Sequence, residues 1–348
     1  MLALQAVTPA RLAEAVPGVT LAEARKIVAM IHRGEAVRPS SAVRATSAHA
    51  VAAAAALPKL SLVAETASQI DPFVKYLVES AGARFECVRI PLADPDRFTV
   101  CVSSQIGCAL ACAFCATGRL GLTRNLEPWE IVEQVRLVRD RLPRGRVHGV
   151  VFQGMGEPLA NLDAVLDAIA VLTDPCALAI DARSITVCTA GLPVGIRRLA
   201  VEAPKVRLGL SLSSAIADHR RRVMPIADRH ALDDVLEAAR FHARTTKLAP
   251  MWAVTLLDGI NDSDADAAAL VERVVAFTAD TGVRPRLSIL DYNAIGDPDN
   301  GDPFRRSPRH AAFRAVLSAA QLPSHRRYSG GGDVGAACGQ LAATSPAP

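Results

Sequence analysis

Residues 101–118 read CVSSQIGCALACAFCATG and hold four of the chain's eight cysteines. Cys108, Cys112 and Cys115 follow the spacing C-x3-C-x2-C, and Cys101 stands apart on their N-terminal side. What comes before and after this run decides the fold. RFTVCVSS, which leads into it, is a short apolar run closing on polar residues, the pattern of a buried strand. The cysteine triplet therefore belongs to the loop after a strand. EPWEIVEQVRLVRDRL follows with helical spacing, and the alternation then repeats: HGVVFQG, SITVCTAG, VRLGLSLSS, MWAVTLL and RLSILDYN each precede an amphipathic segment. Six βα units in series imply an α/β fold with a parallel sheet, curved into a partial barrel. A doubly wound open sheet has the same periodicity and stays open as the alternative.

In such barrels the reacting groups sit at the C-terminal ends of the strands. Cys101 ends the first predicted strand, Gly156 and Glu157 follow the second, Cys188 ends the third, Ser211 to Ser213 the fourth, and Asn293 follows the sixth. Sulfur and polar groups thus converge on one face. Upstream, TPARLAEAVPG and TLAEARKIVAMIHRG read as helices opening on a capping Thr and closing on Gly. PFVKYLVESAGARFECVRIPL reads as two strands around Ala81-Gly82. The expected organisation is a small helical and hairpin domain over 1–85, a partial-barrel core over 86–341, and a flexible tail over 342–348.

Half of the residues are hydrophobic, 21% are charged, and the formal net charge is +4. That mild basicity permits nucleic acid without demanding it. The start of the chain lacks a basic segment leading into an apolar one, and no apolar run is long enough to span a bilayer. A cytoplasmic protein with no membrane partner is expected, and clustered cysteines in a reducing compartment point to metal or catalysis.

Thiolates suit zinc or iron–sulfur clusters. Structural zinc takes four ligands, usually as two separated pairs. Three cysteines on a four-iron cluster leave one iron open, which is useful when the cluster does chemistry. The form C-x3-C-x-Φ-C, with Phe114 before the last Cys, resembles the signature of radical S-adenosylmethionine (SAM) enzymes. That resemblance implies one [4Fe-4S] cluster on Cys108, Cys112 and Cys115, with SAM on the fourth iron, in a partial (β/α)6 radical SAM barrel behind a small N-terminal α(+β) domain.

A narrower resemblance rests on CVSSQIGC together with GAACGQL at 335–341, and on GMGEPLAN, SITVCTAG, VMPI and GIND between them. These segments resemble the RlmN/Cfr-type RNA adenine methyltransferases over about residues 85–341. The resemblance implies methylation of C2 or C8 of an adenine in rRNA or tRNA. Neither carbon is a nucleophile, so the implied route is indirect. Cys338 takes a methyl group from one SAM. A radical from a second SAM activates that methyl, and the adenine becomes tied to Cys338. Glu86 takes the ring proton, and Cys101 releases the product by forming a disulfide with Cys338. Gly156, Glu157, Cys188, Ser211, Leu212, Ser213 and Asn293 are the implied SAM contacts. A flavodoxin- or ferredoxin-type electron donor is implied as well.

The chain departs from the family at several of these positions. Gln153 replaces a Met before GMGE, Cys188 replaces a Ser, Ser213 replaces a His, and Gly335 replaces an acid before AACGQL. These departures motivate an alternative, the same chemistry on a small aromatic metabolite. A second alternative is a non-catalytic iron–sulfur RNA-binding protein, which would need neither Cys101 nor Cys338. Arg119, Arg124 and the segments RDRLPRGRVH, HRRRV and HRRY are the candidate phosphate contacts. Cys87 and Cys176 read as small buried thiols.

Overall fold

The computed structural model describes residues 1–296 and 302–343. One ten-stranded sheet organises them, with strands adjacent in space in their chain order. β1 (Ser61–Ala67), β2 (Val74–Ser80) and β3 (Ala83–Pro91) form an antiparallel meander, and β3 pairs antiparallel with β4 (Arg97–Val102). β4 starts the parallel part. β5 (Arg146–Phe152), β6 (Ile185–Thr189), β7 (Arg207–Ser211), β8 (Met251–Leu256), β9 (Arg286–Asp291) and β10 (Ser324–Arg327) follow. A doubly wound sheet reverses its strand order at a switch point. No reversal occurs here, so every crossover advances the sheet in the same direction, as in a partial barrel.

The expected helices fill the crossovers: α4 (Pro128–Arg139), α5 (Leu162–Thr173), α6 (Pro193–Glu202), α7 (Leu232–Thr246), α8 (Asp264–Thr281) and α9 (His310–Ala319). They are preceded by α1 (Pro9–Ala15), α2 (Leu21–His32) and α3 (Ala45–Ala54). Thr8 caps α1, and Thr20 with Glu23 forms a reciprocal capping box on α2. These three helices bury a cluster of their own around Leu12, Ile27, Val28 and Val51. The larger cluster lies between the sheet and the crossover helices, where Trp252 on β8 meets Phe277 on α8 edge-on at 5.1 Å.

Two strands of this ten-stranded sheet escaped the sequence reading. β1 pairs along β2 as an edge, with residues alternating between exposed and half-buried. β10 reads SHRR, which has no apolar alternation, and it pairs parallel with β9. The expected tail at 342–348 lies, from residue 344 onward, outside the described residues. Among the described residues no helix is long and apolar enough to cross a membrane.

Candidate active site

The C-terminal ends of the parallel strands open into one cavity, roofed by the cysteine loop and the C-terminal loop. Cys101, Gly156, Glu157, Cys188 and Ser211 line it from the sheet. Cys108, Cys112, Cys115 and Cys338 line it from the loops. Glu86, Leu212, Ser213 and Asn293 are not in its lining.

A short hairpin, Gln105–Gly107 against Leu122–Asn125, closes the neck of the cysteine loop. A Cβ on Gly107 would fall 1.8 Å from the Gly121 carbonyl oxygen, so only glycine fits this neck. Within the loop the Cys115 N–H donates to Cys112 O at 3.1 Å, and the Ala113 N–H donates to Val223 O at 3.0 Å. The loop also reaches the chain's end, where the Ala116 N–H donates to Gly339 O at 2.7 Å. Burial pushes the Cys108 thiol up to about 11, and it raises Cys112 and Cys115 too. Nearby thiols add to this for Cys108 and Cys112, because two anions side by side repel. A bound cation inverts that preference and holds the sulfurs as thiolates.

Among the described residues no three His, Cys, Asp or Glu side chains converge closely enough to hold a single metal ion. The three thiols share a cavity wall instead. A soft, three-sulfur donor set spread over one wall fits a cluster held at separate irons better than a tetrahedral zinc.

Gly156 adopts φ +97°, and a Cβ there would meet Gln105 Cβ at 2.5 Å, so the GMGE turn folds tightly onto the strand beside it. Glu157 then accepts from the N–H groups of Leu159 at 3.0 Å and Ala190 at 2.8 Å. Its carboxylate thus ties the ends of β5 and β6 together while lining the cavity. Burial outweighs these donors and lifts its pKa to about 7.

Ser213 is buried with φ +58°, and its carbonyl accepts from Asn261 Nδ2 at 2.6 Å. The ends of β6 and β7 are also gripped by Arg220, which is fully buried. Its guanidinium donates to Ser211 O at 2.9 Å and to the carbonyls of Leu212 and Ala190. Arg220 came from HRRRV, read in the sequence as a candidate phosphate contact. It is instead a strut within the site. A basic triplet on an amphipathic segment does not reveal which Arg turns inward.

The C-terminal loop is pinned on both sides of Cys338. The Cys338 N–H donates to Ser329 Oγ at 2.7 Å, and Asn293 Nδ2 donates to Cys338 O at 3.0 Å. Asn293 therefore holds the loop's backbone. Asp71, in the β1–β2 turn, accepts from Tyr328 Oη at 2.7 Å and from the Gly331 N–H at 2.8 Å. The Cys338 sulfur accepts from Gln153 Nε2 at 3.3 Å. Burial pushes Cys101 and Cys188 up to about 12 and raises Cys338 as well. The Arg327 guanidinium, at the end of β10, opposes the rise at all three. Its Nη1 is buried with no hydrogen-bond partner among the described residues. Arg327 and Ser329 were missed as individual site residues, since they sit at the end of, and two residues beyond, a strand with no apolar signature.

Glu86 lies behind the cavity, fully buried, with its carboxylate 3.0 Å from Lys75 Nζ. Its other oxygen accepts from the backbone N–H groups of Ala342 at 2.9 Å and Ala343 at 3.1 Å. Removing one partner of a buried ion pair leaves the other charge uncompensated. Lys75→Met is expected to destabilise the fold by roughly 3–5 kcal/mol, read as a shift in the urea unfolding midpoint. A shift below about 1 kcal/mol would show that the pair contributes no more than a surface one.

The remaining basic segments are largely neutralised. Arg124 pairs with Glu130 at 2.7 Å, Arg119 with Asp302 at 3.5 Å, Arg141 with Glu65 at 3.5 Å and Arg144 with Asp96 at 2.7 Å. In HRRY, Arg326 reaches Asp291 at 2.8 Å, while Tyr328 is 66% exposed beside the cavity.

Residues 102–271 match the radical SAM superfamily. A protein of Sorangium cellulosum named "Probable RNA methyltransferase" is 57% identical, over 94% of this chain and 89% of its own length. The dual-specificity RNA methyltransferase RlmN of Syntrophobacter fumaroxidans is 43% identical, over 75% of this chain and 74% of its own. The crystal structure of a radical SAM methyltransferase from Sphaerobacter thermophilus superposes with a TM-score of 0.85 at 33% identity, covering 99% of this chain and all of that one. A triplet of thiols at the mouth of a singly wound βα sheet, in a chain this close to those proteins, makes it a SAM-dependent radical methyltransferase that belongs to the RlmN-type family of the radical SAM superfamily.

Proposed function

We propose that this enzyme methylates an sp2 carbon of adenine in RNA, in rRNA or tRNA, with Cys338 as methyl carrier and Cys101 as resolving thiol. The observation that carries the reading is that both sulfurs line the cavity that the cysteine triplet also lines. When bound, SAM and a four-iron cluster on Cys108, Cys112 and Cys115 supply a transferable methyl group and a hydrogen-abstracting radical. A flavodoxin- or ferredoxin-type protein is the proposed electron donor. Gly156, Glu157, Cys188 and Ser211 face the same space, as SAM contacts must, and Asn293 acts on the Cys338 loop.

The chain's own residues handle sulfur and protons. Cys338 loses its thiol proton, which the Arg327 guanidinium favours, and its sulfur would take the methyl carbon as that carbon's bond to the SAM sulfur breaks and S-adenosylhomocysteine leaves with the electron pair. Once the substrate is joined to Cys338 through that carbon, the Cys101 sulfur attacks the Cys338 sulfur. The carbon–sulfur bond breaks with its electron pair staying on carbon, which takes a proton and becomes the product methyl. A Cys101–Cys338 disulfide remains, to be reduced by an external dithiol. Sheet geometry supports this choice of partner. Cys188 stands on β6, two strands from Cys101 with β5 between them. That spacing is about 9.5 Å, beyond the roughly 7 Å that a disulfide tolerates between Cα atoms. Cys338 comes from a loop and is free of that constraint. Glu86 is the proposed acceptor of the ring proton. Its carboxylate becomes reachable when the backbone of Ala342 and Ala343 withdraws.

Nucleoside mass spectrometry of rRNA and tRNA, with and without the gene, tests the substrate. A methyladenosine modified on carbon is expected to disappear on deletion and return on complementation. Unchanged RNA in both strains, with SAM still cleaved by the purified enzyme, would favour a small aromatic substrate.

A further inference from the structure

Gln153 follows the last residue of β5 and faces the cavity. The resemblance places a Met here, and a thioether has no N–H to give. In this chain the side-chain amide donates to the Cys338 sulfur at 3.3 Å. The Cys101 sulfur lines the same cavity from the neighbouring strand. Gln153 therefore grips one sulfur of the proposed pair in the cavity that the other sulfur also lines.

We propose that Gln153 is the positioning residue of this pair, holding the Cys338 sulfur through its side-chain amide within the cavity that Cys101 also lines. The inference rests on the reading of Cys338 as carrier and Cys101 as resolving thiol. It adds that the chain's departure from the family at 153 is a functional replacement. The side-chain bond exists while Cys338 is a thiol and is disturbed when its sulfur moves onto Cys101. Gln153 thus stabilises the reduced pair, and the disulfide becomes easier to reduce after each turnover.

The test is the redox equilibrium of the pair in the cluster-loaded protein. It is read by thiol trapping and peptide mass spectrometry across a series of glutathione to glutathione-disulfide ratios under anaerobic conditions. Each Cys101–Cys338 disulfide formed releases two protons and passes two electrons to glutathione disulfide, giving two glutathione molecules. Gln153→Met restores the family's residue with similar length, and Gln153→Leu removes the donor with a different shape. Both are expected to shift the equilibrium toward the disulfide by roughly threefold to tenfold, the range of one hydrogen bond. Tenfold corresponds to about 30 mV for a two-electron couple.

An equilibrium unchanged in both variants would overturn the role of Gln153 and leave the carrier and resolving roles standing. A wild-type protein that forms no Cys101–Cys338 disulfide at any ratio would overturn the underlying reading instead. A shift in Gln153→Leu alone would mark a packing effect and also overturn the proposal.

Discussion

Cys338→Ala is expected to abolish RNA methylation while leaving SAM cleavage to 5′-deoxyadenosine measurable. The loss should be roughly thousandfold or more, as for removal of any covalent nucleophile. The substitution deletes one sulfur from a loop whose other anchors remain. Cys338 is held by its own backbone N–H and carbonyl, through Ser329 and Asn293, and neither bond involves the side chain. The neighbouring anchors, the Asp71 carboxylate on the Gly331 N–H and the Ala116 N–H on Gly339 O, also act on the loop's backbone. Alanine should therefore sit in the same loop. The variant separates a cavity that still binds its cofactors from one that can carry a methyl group. Methylated RNA at more than a few per cent of the wild-type level would assign the methyl carrier elsewhere.

Cys101→Ala should behave differently. The proposed methyl carrier is intact in this variant, and the step proposed to free the product is missing. The expected result is a covalent complex of protein and RNA. It should accumulate to a large fraction of the enzyme, survive denaturing electrophoresis and disappear on nuclease treatment. Cys101 is buried in β4, between Val88 of β3 and Val151 of β5. Alanine removes one buried sulfur from this position, at a cost on the order of 1 kcal/mol, so the fold should persist. Normal turnover by Cys101→Ala would remove the resolving role. No neighbouring cysteine replaces it within the sheet, since Cys188 lies two strands away and Cys87 points to the opposite face of β3.

Much of this site was legible because its chemistry follows the strand ends. Six apolar runs alternating with helical patterns made the parallel order readable, and cysteines at the ends of two of those runs pointed to one face. The resemblance then separated the roles of Cys101 and Cys338, which spacing alone leaves equivalent to any other thiol. Contacts made by backbone and by lone polar residues were not legible. β10 reads SHRR and pairs without apolar alternation, which concealed Arg327 and Ser329. Arg220 looked like one member of a basic run, yet it is the one turned inward onto three carbonyls. Lys75 lay within VKYLVES as an unremarkable strand residue, and only the fold brings it to Glu86. Gln153 was visible as a departure. What it puts in place of a thioether, a side-chain N–H on the Cys338 sulfur, depended on a loop arriving from 185 residues further along the chain.

Peptide mass spectrometry of Cys338, from protein produced with a full cluster and SAM, decides whether this sulfur carries the methyl group. A mass increase of one methyl group, localised to the Cys338 sulfur and absent from the other cysteines, is the predicted result. An unmodified Cys338 in cluster-loaded protein that still methylates its substrate would mean that the methyl group travels by another route.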